Sequence, residues 1–132
     1  MNFLTRLKQK KILLIDDDEW IRDSMGLFFD SEGCQFHAVE TAEAGIAELE
    51  VQDYDIIITD YRLPGMDGLA FLKRIKDSHK AAVKILITAF GDDDLAEESV
   101  RAGVSDYIQK PFDMQDIEKA LERLMAADVN RS

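Results

Sequence analysis

A chain of 132 residues has the length of one domain and can bury a core of its own. Its 16 basic and 27 acidic residues leave a net charge of −11, which repels nucleic acid and anionic membrane and argues against either as a direct partner. The one cysteine, Cys34, excludes an internal disulfide and points to a reducing compartment.

The opening MNFLTRLKQKK is basic and lacks the apolar run of a signal peptide. Residues 1–10 read as a short frayed extension. KILLI (Lys11 to Ile15) predicts a first strand. A first helix follows, with Ile21, Met25, Phe28 and Phe29 on one face. Asp18 and Glu19 fit its solvated N-terminus, Trp20 its first turn, and Gly33 the position just past its end. FHAV (Phe36 to Val39) predicts the second strand. Thr41 can cap a second helix, which turns Ile46 and Leu49 inward. DIIIT (Asp55 to Thr59) is the third strand, and Pro64–Gly65 bends the chain away from it. A third helix presents Leu69, Leu72 and Ile75. VKILIT (Val83 to Thr88) is the fourth strand. The fourth helix opens with DDDLAEE, offers only Ala96 and Val100 as an apolar face, and is closed by Gly103, so weak packing is expected there. SDYIQ (Ser105 to Gln109) is the fifth strand. Asp113 can cap the fifth helix, with Phe112 and Ile117 as a hydrophobic staple and Ile117, Leu121 and Leu124 as its inner face. The domain proper is expected over 11–127, with a short frayed tail at 128–132. His37 and His79 lack metal-ligand spacing and read as surface histidines. No apolar stretch reaches the ~20 residues of a membrane helix, so a soluble cytoplasmic domain is expected.

Five βα units in a row predict an α/β fold with a doubly wound, five-stranded parallel sheet and right-handed crossovers. The first, third and fourth strands are nearly continuous apolar runs, as sheets covered on both faces require. Such sheets carry their sites at the carboxyl ends of the strands. Those ends supply Asp16, Asp17 and Asp18, then Asp60, then Thr88, then Lys110 followed by Pro111. Clustered carboxylates repel unless a cation joins them, and oxygen ligands with room for water suit Mg²⁺. A carboxylate can also attack phosphorus to form an aspartyl phosphate. Carboxylates, a hydroxyl and an ammonium together match the positioning and charge neutralisation that phosphoryl transfer needs.

The set LLIDDDE, IIITDYRLPGMDG, ILITAFG and YIQKPF resembles the receiver domain of bacterial two-component response regulators, chemotaxis regulators included, from about Lys11 to Met125. The resemblance implies a flavodoxin-like (βα)5 fold with strand order 2-1-3-4-5. It makes Asp60 the phosphoacceptor, with Mg²⁺ (or Mn²⁺ in its place) bound by Asp17 directly, by Asp16 mainly through water, by Asp60, and by the backbone carbonyl of Arg62. It gives Lys110 the task of neutralising the phosphoryl group and Thr88 that of hydrogen-bonding it after transfer. Tyr107 matches the family's switch aromatic. The Lys110–Pro111 bond is usually cis in the family, which turns the ammonium into the site. Arg62 and Phe90 match the positions flanking the route of water to the acyl phosphate. Arg62 lying across Phe90 would make hydrolysis slow, unless Asp92 to Asp94 draw it away.

The implied partners are a sensor histidine kinase or a histidine phosphotransfer protein, docking on the first helix, and an effector protein or output domain. That output partner would read the face made by the fourth helix, fifth strand and fifth helix. A phosphorylation-linked homodimer is a further option, and no turnover of an external substrate is expected. Two rival functions fit these residues less well. A haloacid dehalogenase-type hydrolase would carry Thr or Val at position 20, where this chain has Trp20, and would need room for a cap domain. A degenerate receiver that only binds partners would have lost the acceptor, the acids or the lysine.

Overall fold

The apolar runs separate into two interleaved sets, because successive side chains of a strand point to opposite faces. The computed structural model describes residues 2–89 and 95–131, apart from the side chains of residues 96 and 127–131. Its elements in order are α1 (Phe3–Leu7), β1 (Lys11–Ile15), α2 (Glu19–Ser31), β2 (Gln35–Val39), α3 (Ala42–Val51), β3 (Ile56–Asp60), α4 (Gly68–Ile75), β4 (Val83–Thr88), α5 (Ala96–Arg101), β5 (Asp106–Gln109) and α6 (Met114–Arg131). The strands form one parallel sheet in the order β2-β1-β3-β4-β5.

Ile12 and Leu14, Ile56 and Ile58, Ile85 and Ile87 face one side, where they meet Met25 and Phe29 of α2 and Ile117 and Leu121 of α6. Leu13, Ile15, Ile57 and Leu86 face the other, against Leu49 of α3, Phe71 and Leu72 of α4, and Ala102 after α5. Full burial of such a side chain contributes about 1.5–3 kcal/mol, so the sheet centre is the rigid part of the molecule.

The expected caps are present. Thr41 Oγ1 accepts from the Ala44 N–H at 3.1 Å. Asp113 and Asp116 accept from each other's backbone N–H at 3.1 and 2.9 Å. Gly33 and Gly103 close α2 and α5 at φ +75° and +79°, a conformation that favours glycine.

Four expectations are corrected. The opening segment is not frayed: Asn2 caps α1, Leu7 is completely buried in the α2–α6 layer, and the Arg6 guanidinium donates to the Met125 carbonyl at 2.5 Å. Phe3 packs against the same core one turn earlier, so this short helix docks through two apolar side chains. The closing segment continues α6 to Arg131, since MAADVNR contains no helix breaker. Val100 does not face the core and is 77% exposed, whereas Ser99 beside it is buried. His79 is only partly at the surface: 15% of its side chain is accessible, in the turn before β4, where its carbonyl accepts from Lys84 Nζ at 2.7 Å.

Candidate functional site

Parallel register decides which strand ends meet. Asp60 is the last residue of β3 and pairs with Ile87, and Thr88 pairs with Gln109. The chain then runs on to Lys110 beside the end of β3. The Lys110 N–H donates to the Thr88 carbonyl at 2.7 Å, and its Nζ donates to Asp60 Oδ2 at 3.1 Å. The Lys110–Pro111 peptide bond is cis. On the other flank β1 ends in Asp16, which is completely buried, followed by Asp17, which is exposed. Carboxylate oxygens of Asp16, Asp17 and Asp60 lie within 4.8 Å of one another.

Burial governs the charges here. The Asp16 carboxyl is pushed up to about 6, chiefly by burial, with the charges of Asp60 and Asp17 adding to the effect and the Asp18 N–H and Lys110 opposing it. Asp16 Oδ1 accepts from the Asp18 N–H at 2.9 Å, while Oδ2 is buried without a hydrogen-bond partner. Burial likewise raises Asp60, against the hydrogen bond and charge of Lys110 and the Arg62 N–H that lower it. A buried carboxylate oxygen with no donor, set in a cluster of two further acids, is a donor set suited to a hard divalent cation.

Thr88 is buried at the end of β4 and Tyr107 is 51% exposed on β5. Asp18, expected at the solvated helix start, is the N-cap of α2 and accepts from Trp20 and Ile21. Trp20 is 74% exposed. It borders a groove of about 590 Å³ beside Lys110, lined also by Ile21, Met25, Pro111, Phe112 and Met114. The guanidinium carbon of Arg62 stands 5.9 Å from the ring centre of Tyr61, its neighbour in sequence. Phe90 and Asp92 to Asp94, named above as its alternative partners, lie outside the described residues.

Three supporting residues escaped the sequence reading. Arg22 donates to the Asp16 carbonyl at 2.9 Å and pairs with Glu40 at 3.3 Å, fixing the turn after β1. The Thr59 hydroxyl donates to the Asp60 carbonyl at 3.0 Å. Gly68 opens α4 so close to β3 that a Cβ there would fall 2.0 Å from the Asp60 oxygen. The second glycine of PGMDG was a visible signal for the last, but its contact partner was not.

The comparisons agree with this geometry. The family model of the response regulator receiver domain matches residues 12–122. Response regulator protein FleR of Pseudomonas aeruginosa is 36% identical over 103 residues, covering 78% of this chain and 22% of that protein. Sporulation initiation phosphotransferase F of Bacillus subtilis is 30% identical over 124 residues, covering 94% of this chain and 100% of that protein. The chain thus spans about a fifth of the one relative and the whole of the other. The receiver domain of an HD domain-containing protein from Pseudomonas fluorescens superposes with a TM-score of 0.83 at 26% identity, over 92% of this chain and 98% of that one. The matched span holds every acid of the cluster together with Thr88 and Lys110, and with the sheet order it leaves one conclusion: the chain belongs to the receiver domain family of two-component response regulators.

Proposed function

We propose that this domain is a phosphorylation-operated switch whose Asp60 accepts a phosphoryl group from the phosphohistidine of a sensor histidine kinase or a histidine phosphotransfer protein. The observation that supports this best is the buried Asp60 carboxylate with Lys110 Nζ at 3.1 Å and two further acids in the same cluster. An Asp60 carboxylate oxygen attacks phosphorus while the P–N bond breaks. The electron pair goes to the ring nitrogen, and a phosphohistidine already protonated on its other ring nitrogen leaves as neutral imidazole. Bound Mg²⁺, or Mn²⁺ in its place, would offset charge on the phosphoryl oxygens, held by Asp16, Asp17, Asp60 and the Arg62 carbonyl. Lys110 neutralises further charge, and the Thr88 hydroxyl donates to a phosphoryl oxygen after transfer.

Movement of Thr88 towards the phosphoryl group frees space beneath α5, and the outward Tyr107 turns in to fill it. Phosphorylation then biases a two-state equilibrium through differential contacts. The α5–β5–α6 face passes the change to an effector protein, an output domain or a second copy of the chain. One relative is a DNA-binding transcriptional regulator and another a phosphotransferase by name, so both a transcriptional output and a relay fit. The histidine donor docks on α2, where the groove at Trp20, Ile21 and Phe112 opens beside Lys110. Neither Arg62 nor Phe90 can act as a base towards water, so self-dephosphorylation is slow.

The test is incubation with Mg²⁺ and acetyl phosphate followed by intact mass. Wild type should gain one phosphoryl group and Asp60→Asn none; labelling of Asp60→Asn at the wild-type rate would sink the assignment.

A further inference from the structure

Glu43 lies in the first turn of α3, outside every motif named so far. Its carboxylate reaches across to the turn that follows the acceptor strand. Oε1 accepts from the Met66 N–H at 3.4 Å. The same oxygen lies 3.2 Å from where a Cβ on Gly65 would sit. Gly65 has φ +77°, a backbone conformation that favours glycine, and the Glu43 carboxylate packs against it.

The segment between β3 and α4 is anchored at both ends. The Tyr61 N–H donates to the Ile87 carbonyl at 2.8 Å, and the Gly68 N–H donates to the Tyr61 carbonyl at 2.8 Å. Asp67 caps α4 by accepting from the Ala70 N–H at 2.7 Å. Near the first anchor, the Arg62 N–H lies on the Asp60 carboxylate. Between the anchors the Pro64–Gly65 turn projects away from the sheet, with Pro64 and Gly65 exposed. Glu43 meets that projecting turn from the neighbouring helix.

We propose that Glu43 is a positioning residue for the acceptor loop: by holding the Gly65–Met66 backbone against α3 it keeps the Arg62 main chain registered beside Asp60. This rests on the phosphoacceptor reading, in which the Arg62 carbonyl is a cation ligand. A ligand on a loop binds well only if the loop does not have to be ordered on binding, so a tether acts through the entropy of that loop. The contact is to a backbone N–H, so an uncharged acceptor oxygen at the same reach can also make it.

Glutamine at position 43 keeps an acceptor oxygen at the same reach, whereas alanine removes it. Neither disturbs Thr41, which caps α3, and alanine raises helix propensity, so folding should be retained. Calorimetric titration with Mg²⁺ alone, paired with amide exchange across residues 62–67, reads the effect. Glu43→Ala should weaken Mg²⁺ binding roughly threefold to tenfold, the range that a net hydrogen-bond contribution yields, and should speed exchange of the Met66 N–H. Glu43→Gln should stay within about twofold of wild type on both. Wild-type behaviour of Glu43→Ala in both measurements would overturn the positioning role alone. Equal losses in Glu43→Gln and Glu43→Ala would overturn it in favour of charge. If wild type itself binds no Mg²⁺, the phosphoacceptor reading falls and the positioning role falls with it.

Discussion

Gly68→Ala is the sharpest single-residue probe of how the acceptor strand is held. The added Cβ would sit 2.0 Å from the Asp60 carbonyl oxygen, 2.9 Å from the Asp60 carbonyl carbon and 3.0 Å from Thr59 Oγ1. Tolerable contacts begin near 3.0 Å, so the start of α4 and the end of β3 must separate by about 1 Å. Neither side yields easily. The obstructing atoms are backbone, Thr59 is bonded to the same carbonyl, and Leu69, Phe71 and Leu72 behind Gly68 are buried in the core. Overpacking of this kind costs about 1–3 kcal/mol. Displacing a reacting group by 1 Å can cost on the order of 10²-fold in rate. Urea denaturation should therefore show the stability loss, and the initial rate of acetyl phosphate labelling should fall by roughly ten- to a hundredfold. Gly26→Ala is the control. Its Cβ would meet nothing nearer than 3.7 Å, at Phe36, within the interior of α2. It should be neutral or stabilising by up to about 1 kcal/mol. If Gly68→Ala matched wild type in both stability and labelling rate, the close approach of α4 to Asp60 would not constrain the site.

Three other outcomes are expected. Asp16 in the folded protein holds its proton up to about pH 6, against an ordinary value of 3.8. The raised folded value makes its contribution to stability full below the ordinary value and lost as pH rises through 6. Mg²⁺ should thus raise the Tm clearly at pH 7.5 and little at pH 5, and an equal rise at both would refute the burial of an uncompensated carboxylate. Leu7→Ala should cost about 2–5 kcal/mol in a urea titration, because α1 docks through this completely buried side chain; a loss under 0.5 kcal/mol would mean that α1 lies outside the cooperative unit. Arg62→Asn and Phe90→Glu should each speed decay of the phosphorylated protein, about tenfold for a barrier lowered by 1.4 kcal/mol, and unchanged single-turnover decay would show that neither position gates water.

The sequence alone was enough for the strands, for every helix but the short α1 at Phe3–Leu7, and for the identity of the rim. KILLI, DIIIT and VKILIT announce buried parallel strands through their unbroken apolar runs, and Thr41, Asp113, Gly33 and Gly103 mark helix ends through local hydrogen bonding and backbone conformation. These signals depend on residues within one or two turns of each other, which is why they can be read in order along the chain. Asp16, Asp17, Asp60, Thr88 and Lys110 were legible as well, because each stands where a readable strand stops. Only the tertiary structure could decide what the rim residues touch. Asp16 Oδ2, just past the end of β1, is buried without a donor. Gly68 is required by a carbonyl eight residues earlier, and Glu43 reaches a turn twenty-three residues later. Arg62 lies over Tyr61, and Val100 points outward while Ser99 is buried. The contacts of Gly68 and Glu43 join segments whose separation in sequence says nothing of their distance in space. Local periodicity carries no record of them, because close packing between elements selects one rotamer and one helix rotation from several that the sequence pattern permits.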